Sequence, residues 1–231
     1  MIYRKFFLIA LVCIMGCGQK ESQEIKIAKG KAQFVGYGCT TCHRIGKEGG
    51  ALGPDLTTIG FRKSPEWLDL WLKNPPEWKK NTLMPNFYLK DQARKDLVDY
   101  LSSLKGNLFR KGEAPWNTRE LLQDPVKRGE TIFLRVGCVG CHGHSGKGGY
   151  PNNNVVGNQI PSLKLVADGF SKEELKNKIF KGSKPVPANS SKEAPYIYMP
   201  SWGEYLKEDE IDALVEYLYS LRPPVSAEES W

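Results

Sequence analysis

Two stretches of this chain are versions of one another, and that repetition limits the fold more than any other property. Gly30-Lys-Ala-Gln-Phe34-Val-Gly-Tyr-Gly-Cys39 reads alongside Gly129-Glu-Thr-Ile-Phe133-Leu-Arg-Val-Gly-Cys138. Further on, Pro54-Asp-Leu56 pairs with Pro161-Ser-Leu163, and Met84-Pro85 with Met199-Pro200. Leu97-Val-Asp-Tyr100-Leu-Ser-Ser-Leu104 pairs with Leu214-Val-Glu-Tyr217-Leu-Tyr-Ser-Leu221. The offset grows from 99 residues at the cysteines to 117 at the closing run, so the second copy carries insertions between shared landmarks. Self-similarity of this kind predicts two homologous domains.

Both copies read as helical. Leu97, Tyr100, Leu101 and Leu104 recur at three- and four-residue spacing within 91–105, the stripe of an amphipathic helix. Ile211, Leu214, Val215, Leu218 and Leu221 do the same within 208–221. Ser64 and Ser171 stand where an N-cap belongs, each opening a helical stretch, 64–72 and 171–180. The segments between are rich in Gly, Pro and Asn, hence loops, and no alternation is long enough to suggest a sheet. The expected fold is therefore all-α, with a first domain over 25–105, a linker over 106–124, a second domain over 125–222 and a tail over 223–231.

The first residues read as an address. Arg4 and Lys5 precede an apolar run from Phe6 to Met15, then Gly16-Cys17 and a polar stretch. That is the order of a secretory signal, expected over 1–16. The run is too short to span a bilayer. Ile14-Met15-Gly16-Cys17 resembles a bacterial lipobox, which makes Cys17 the expected lipidation site and 17–24 a tether. Several acyl chains would hold the chain at a membrane surface outside the cytoplasm.

Six Cys in 231 residues are too few for a disulfide scaffold, so spacing carries their meaning. Cys39-Thr-Thr-Cys42-His43 and Cys138-Val-Gly-Cys141-His142 are both C-x-x-C-H, the attachment motif of c-type haem. Two thiols three positions apart on one helical turn can reach both vinyl groups of a porphyrin. The following His then faces the iron. A thioredoxin-type dithiol would sit in a βαβ pattern, which is missing. A four-Cys zinc site joining the two motifs would need no His in either. Two covalently attached c-type haems are expected.

Loss of the signal removes Met1 and Met15, leaving Met84 and Met199. Both precede Pro and occupy equivalent repeat positions, whereas a core-filling Met has no reason to recur so. A thioether is a soft neutral ligand that raises potential relative to a second imidazole. Expected iron ligands are His43 and Met84 in one copy, His142 and Met199 in the other. His144 is the spare histidine, two residues past His142, and is expected on a loop. The six Trp are expected to pack cores and line the haem pockets.

On these motifs the chain resembles the class I cytochrome c family, as a tandem dihaem member over roughly 25–222. The resemblance implies a small helical domain whose first and last helices cross near the haem, Gly30 with Phe34 and Gly129 with Phe133 on the first, Tyr100 and Tyr217 on the last. It also implies that Pro54 and Pro161 offer their carbonyls to the proximal imidazoles, fixing tautomer and basicity. The longer second-copy loops, 143–160 and 181–198, depart from the family pattern.

The formal charge of +7 would by itself raise nucleic acid as a partner. Two of those charges leave with the signal, and haem propionates would bring the remainder near neutrality, so no nucleic-acid partner is expected. What persists is an asymmetry: residues 18–105 hold 15 Lys/Arg against 10 Asp/Glu, while 106–231 hold 16 of each. The expected function is single-electron transfer between redox-partner proteins, among them a membrane-associated donor or acceptor complex, and not enzymatic turnover. A dihaem peroxidase, a thiosulfate-oxidising enzyme and a fixed subunit of a respiratory complex are the alternatives.

Overall fold

The computed structural model describes residues 22–110 and 114–224. The signal and lipidation readings at 1–16 and Cys17, and nearly all of the tail, lie outside them. The first half contains α1 (Gln23–Gly36), α2 (Ile59–Arg62), α3 (Pro65–Lys73), α4 (Pro75–Trp78) and α5 (Asp91–Ser103). Two short helices follow, α6 (Asn107–Arg110) and α7 (Arg119–Leu122). The second half contains α8 (Pro125–Arg135), α9 (Val139–His142), α10 (Val166–Gly169), α11 (Lys172–Lys181) and α12 (Glu208–Ser220). The all-α expectation holds. Among the described residues the departures are a hairpin of β1 (Arg44–Ile45) and β2 (Glu48–Gly49), whose two-residue strands are too short to show alternation, and two isolated bridges, Pro151 with Gln159 and Ser183 with Met199.

Local chemistry explains the helix starts. Ser64 Oγ accepts from the Trp67 amide at 3.2 Å and opens α3, with Pro65 at a position where its missing N–H costs nothing. Ser171 and Glu174 form a reciprocal capping box at the head of α11. Ser22 caps α1, so Gln23 and Glu24, expected at the end of the tether, are already helical.

Each half crosses its first and last helix, α1 on α5 and α8 on α12. The crossing is made at a glycine. A Cβ on Gly30 would overlap the Asp96 carbonyl, and one on Gly129 the Ala213 carbonyl. One turn later an aromatic pair locks each contact. Phe34 meets Tyr100 at 5.6 Å edge-on, and Phe133 meets Tyr217 at 5.4 Å.

The expected linker does more than connect. Phe109, Ala114 and Trp116 are buried in the second core, and Trp116 Nε1 donates to Glu210 Oε1 at 2.6 Å. Buried Arg128 binds this segment to α12 through the Trp116 carbonyl, Asn117 Oδ1 and Asp209 Oδ2.

The long second-half loops cover the first half. Ile160 and Ile197 are buried in the core that also holds Phe34, Trp67, Leu68 and Leu97. Tyr150 lies 6.2 Å from Trp71, and Tyr196 meets Trp78 edge-on at 5.7 Å. Asn152, Asn153 and Asn154 tie the loops to each other, bonding the backbone of Ile197, Tyr196 and Asn189. Phe61 returns the contact, packing on Trp202 at 5.3 Å.

Candidate functional site

Both Cys-x-x-Cys-His segments fold as a single helical turn. The His43 amide donates to the Cys39 carbonyl at 2.9 Å, and the His142 amide to the Cys138 carbonyl at 2.9 Å. In each, two sulfurs three positions apart therefore share one side of the turn, with the imidazole beside them. Among the described residues no disulfide ties up Cys39, Cys42, Cys138 or Cys141. Among the described residues no group of three or more His, Cys, Asp or Glu could hold a metal ion, so the two motifs do not combine into a zinc-type cluster.

The imidazoles are prepared to bind through one nitrogen. His43 Nδ1 lies 2.9 Å from the Pro54 carbonyl oxygen. A carbonyl only accepts, so Nδ1 carries the proton and Nε2 keeps its lone pair. Burial lowers the His43 pKa, and the Pro54 bond opposes it. His142 is more enclosed: burial pushes its pKa down to about 4, against the pull of the Pro161 carbonyl and helped by the charge of Lys63. Its Nδ1 is buried, and although the Pro161 carbonyl is near enough to favour the protonated form, the two do not reach hydrogen-bonding geometry. Neutral imidazole is the coordinating form.

Met84 sits on the loop between α4 and α5, and Met199 in an antiparallel bridge with Ser183 whose two hydrogen bonds are both 2.9 Å. Each is half-buried at the fringe of an apolar cluster that also takes up a cysteine of its own repeat. Met84 and Cys39 border the first cluster and Met199 and Cys138 the second, while Cys141 of the second motif reaches back to the first. Met84 Sδ accepts from Trp71 Nε1 at 3.0 Å. Met199 lines a cavity of about 280 Å³ with Gly182 and Tyr198. His144 lies exposed in a short turn, as expected.

These residues fit a thioether-bound iron porphyrin: paired thiols on one turn, a neutral imidazole, and a thioether in apolar surroundings. The chain would hold one such group in each half.

Several residues at the sites had no counterpart in the sequence reading. Arg62 is buried where the halves meet. Its Nε donates to Thr58 Oγ1 at 3.0 Å, Nη2 to the Asp55 carbonyl at 2.9 Å, and Nη1 to the Gly137 carbonyl at 3.2 Å. Thr58 donates to the Val136 carbonyl at 2.5 Å. Arg135 crosses the other way, to Asp55 Oδ2 at 2.9 Å and the Gly46 carbonyl at 2.6 Å. A bonded path thus runs from the Pro54–Asp55 backbone beside His43 to the Gly137 carbonyl beside Cys138. Lys63 Nζ is buried with no acceptor in hydrogen-bonding geometry, 4.2 Å from the Trp67 ring centroid. The basic pair Arg62-Lys63 carries no sequence signal, since cations commonly end short helices.

The family model described as Cytochrome c matches this chain twice, over residues 27–105 and 126–222. No curated protein and no solved structure matches it.

Proposed function

The chain belongs to the cytochrome c family and carries two covalently attached c-type haems, and from that membership we propose that it moves single electrons between partner proteins outside the cytoplasm, with His43 and Met84 on one iron and His142 and Met199 on the other. The haem supplies the one-electron chemistry; the chain decides at what potential and to whom it is available. Cys39 and Cys42, and Cys138 and Cys141, hold the groups by covalent bonds. The Pro54 carbonyl fixes the orientation and tautomer of His43. Apolar clusters border both sites, and such burial is one of the levers by which a chain sets a haem's potential. Were His43 with Met84, and His142 with Met199, to hold the two irons, they would leave no position for a substrate, which favours a carrier over a peroxidase.

The observation that carries this reading is the pairing of the first cysteine of each motif, Cys39 or Cys138, with a half-buried Met at the fringe of one apolar cluster, twice in one chain. Met84→Ala and Met199→Ala should each change the spectrum of one haem and lower its midpoint potential. A substitution that leaves both potentials where they were identifies that Met as core filler. Rapid turnover of hydrogen peroxide by the unaltered protein would favour the enzyme instead.

Lipid attachment at Cys17 belongs to the same reading, since it would keep the carrier beside a membrane-bound donor or acceptor. Cys17→Ser should release the protein from the membrane fraction, and a Cys17→Ser chain that still pellets with membranes after losing its signal refutes the anchor.

A further inference from the structure

Arg62 and Lys63 end α2 in the first domain, but they deliver their charges to the second. Arg62 bonds the carbonyl of Gly137, the residue joined to Cys138. Its guanidinium lies against the motif backbone itself: a Cβ on Gly137 would come within 2.5 Å of it, and one on Gly140, between Cys138 and Cys141, within 3.3 Å. Buried Asp55, the acid of this cluster, already has partners: Arg135 holds one oxygen and Thr57 the other. The local balance is positive, in a place where water cannot screen it.

The repeat does not reciprocate. Pro54 matches Pro161 and Ser64 matches Ser171 at a common offset, so Arg62 and Lys63 correspond to Gly169 and Phe170. The second domain has no cation at these positions to offer in return. Lys63 adds a second observation. Its Nζ is buried with no acceptor in hydrogen-bonding geometry, 4.2 Å from the Trp67 ring centroid and 5.7 Å from that of Tyr150; burial lowers its pKa, and nearby Cys141 opposes that shift. A buried ammonium left so is costly, and an anionic or electron-rich group beside it relieves that cost.

We propose that these two first-domain cations are part of the second haem site, and that they raise the reduction potential of the haem held by Cys138, Cys141 and His142. A positive charge favours the less positive iron, and a buried one is screened by salt much less than an exposed one. The inference rests on the reading that both motifs carry haem. The first site has a cation of its own, Arg44 beside His43, so the quantity that matters is the shift in a variant and not which haem lies higher.

The test uses the full holoprotein. Haem content is measured first, and fewer than two haems per chain would refute the underlying reading before this one is reached. Both midpoint potentials are then followed, each haem being assigned by its NMR contacts to its own cysteines. Lys63→Met keeps the length of the side chain and should lower the second potential, with the first moving less. Arg62→Gln should lower it by at least a tenfold change in the reduction equilibrium, about 59 mV for a one-electron couple. Arg62→Lys retains the charge and should stay near the unaltered value, a rescue that a purely structural role does not give. Should Arg62→Gln fail to fold, Lys63→Met decides alone. The proposal is overturned if Lys63→Met leaves the second potential unchanged, if the first haem shifts as much as the second, or if Arg62→Lys falls as far as Arg62→Gln.

Discussion

At Gly129 a hydrogen stands where any other residue would drive a carbon into the Ala213 carbonyl, and Gly30 faces Asp96 in the same way. Gly129→Ala should therefore push α8 off α12 and cost about 1–3 kcal/mol, the usual range for overpacking, read as a lower denaturant midpoint. Trp116 makes a different kind of contact. Its indole N–H donates to Glu210, a carboxylate that is 5% exposed. Trp116→Phe keeps most of the ring but strips the donor, and should cost about 1–3 kcal/mol because the acceptor stays buried. An unfolding midpoint equal to that of the parent would show that Glu210 finds another partner. Both glycines were legible as repeat positions, since a close approach forces the same residue twice. The weight carried by Trp116 was not, because its partner is 94 positions away and no local pattern reaches so far.

The major helices follow rules that operate within a few residues. Spacing of Leu97, Tyr100 and Leu101 gave α5, and Ser64 and Ser171 gave the starts of α3 and α11. What joins one element to another is less visible. Arg128 on α8 reaches Asp209 at the head of α12 at 2.7 Å, a pair separated by 81 positions. The guanidinium holds the Asp209 carboxyl below the usual range, since it favours the ionised form. A depressed carboxylate pKa stabilises the fold above its unfolded value near 4, and that contribution fades as the pH falls through the folded value. Asp209→Asn should therefore lower stability at neutral pH and narrow the difference from the parent toward pH 3. Parallel curves across that window would show the ion pair to be without effect. Asp209 is largely exposed, so the gain is small.

For the whole molecule the balance of charge matters more than its total. The first domain keeps the basic excess, while 208–229 is acidic. Electron transfer with an acidic partner should slow as ionic strength rises, and a rate indifferent to salt would place the contact elsewhere. The two-domain plan was readable because duplication leaves its mark on sequence. The seam between the domains was hidden, since Arg62 and Gly137 meet across 75 positions through a backbone carbonyl that any residue would provide. That seam also makes the two halves answer to one another. Arg62 holds the Asp55 carbonyl on one side and the Gly137 carbonyl on the other, so a change that loosens either motif is felt at both.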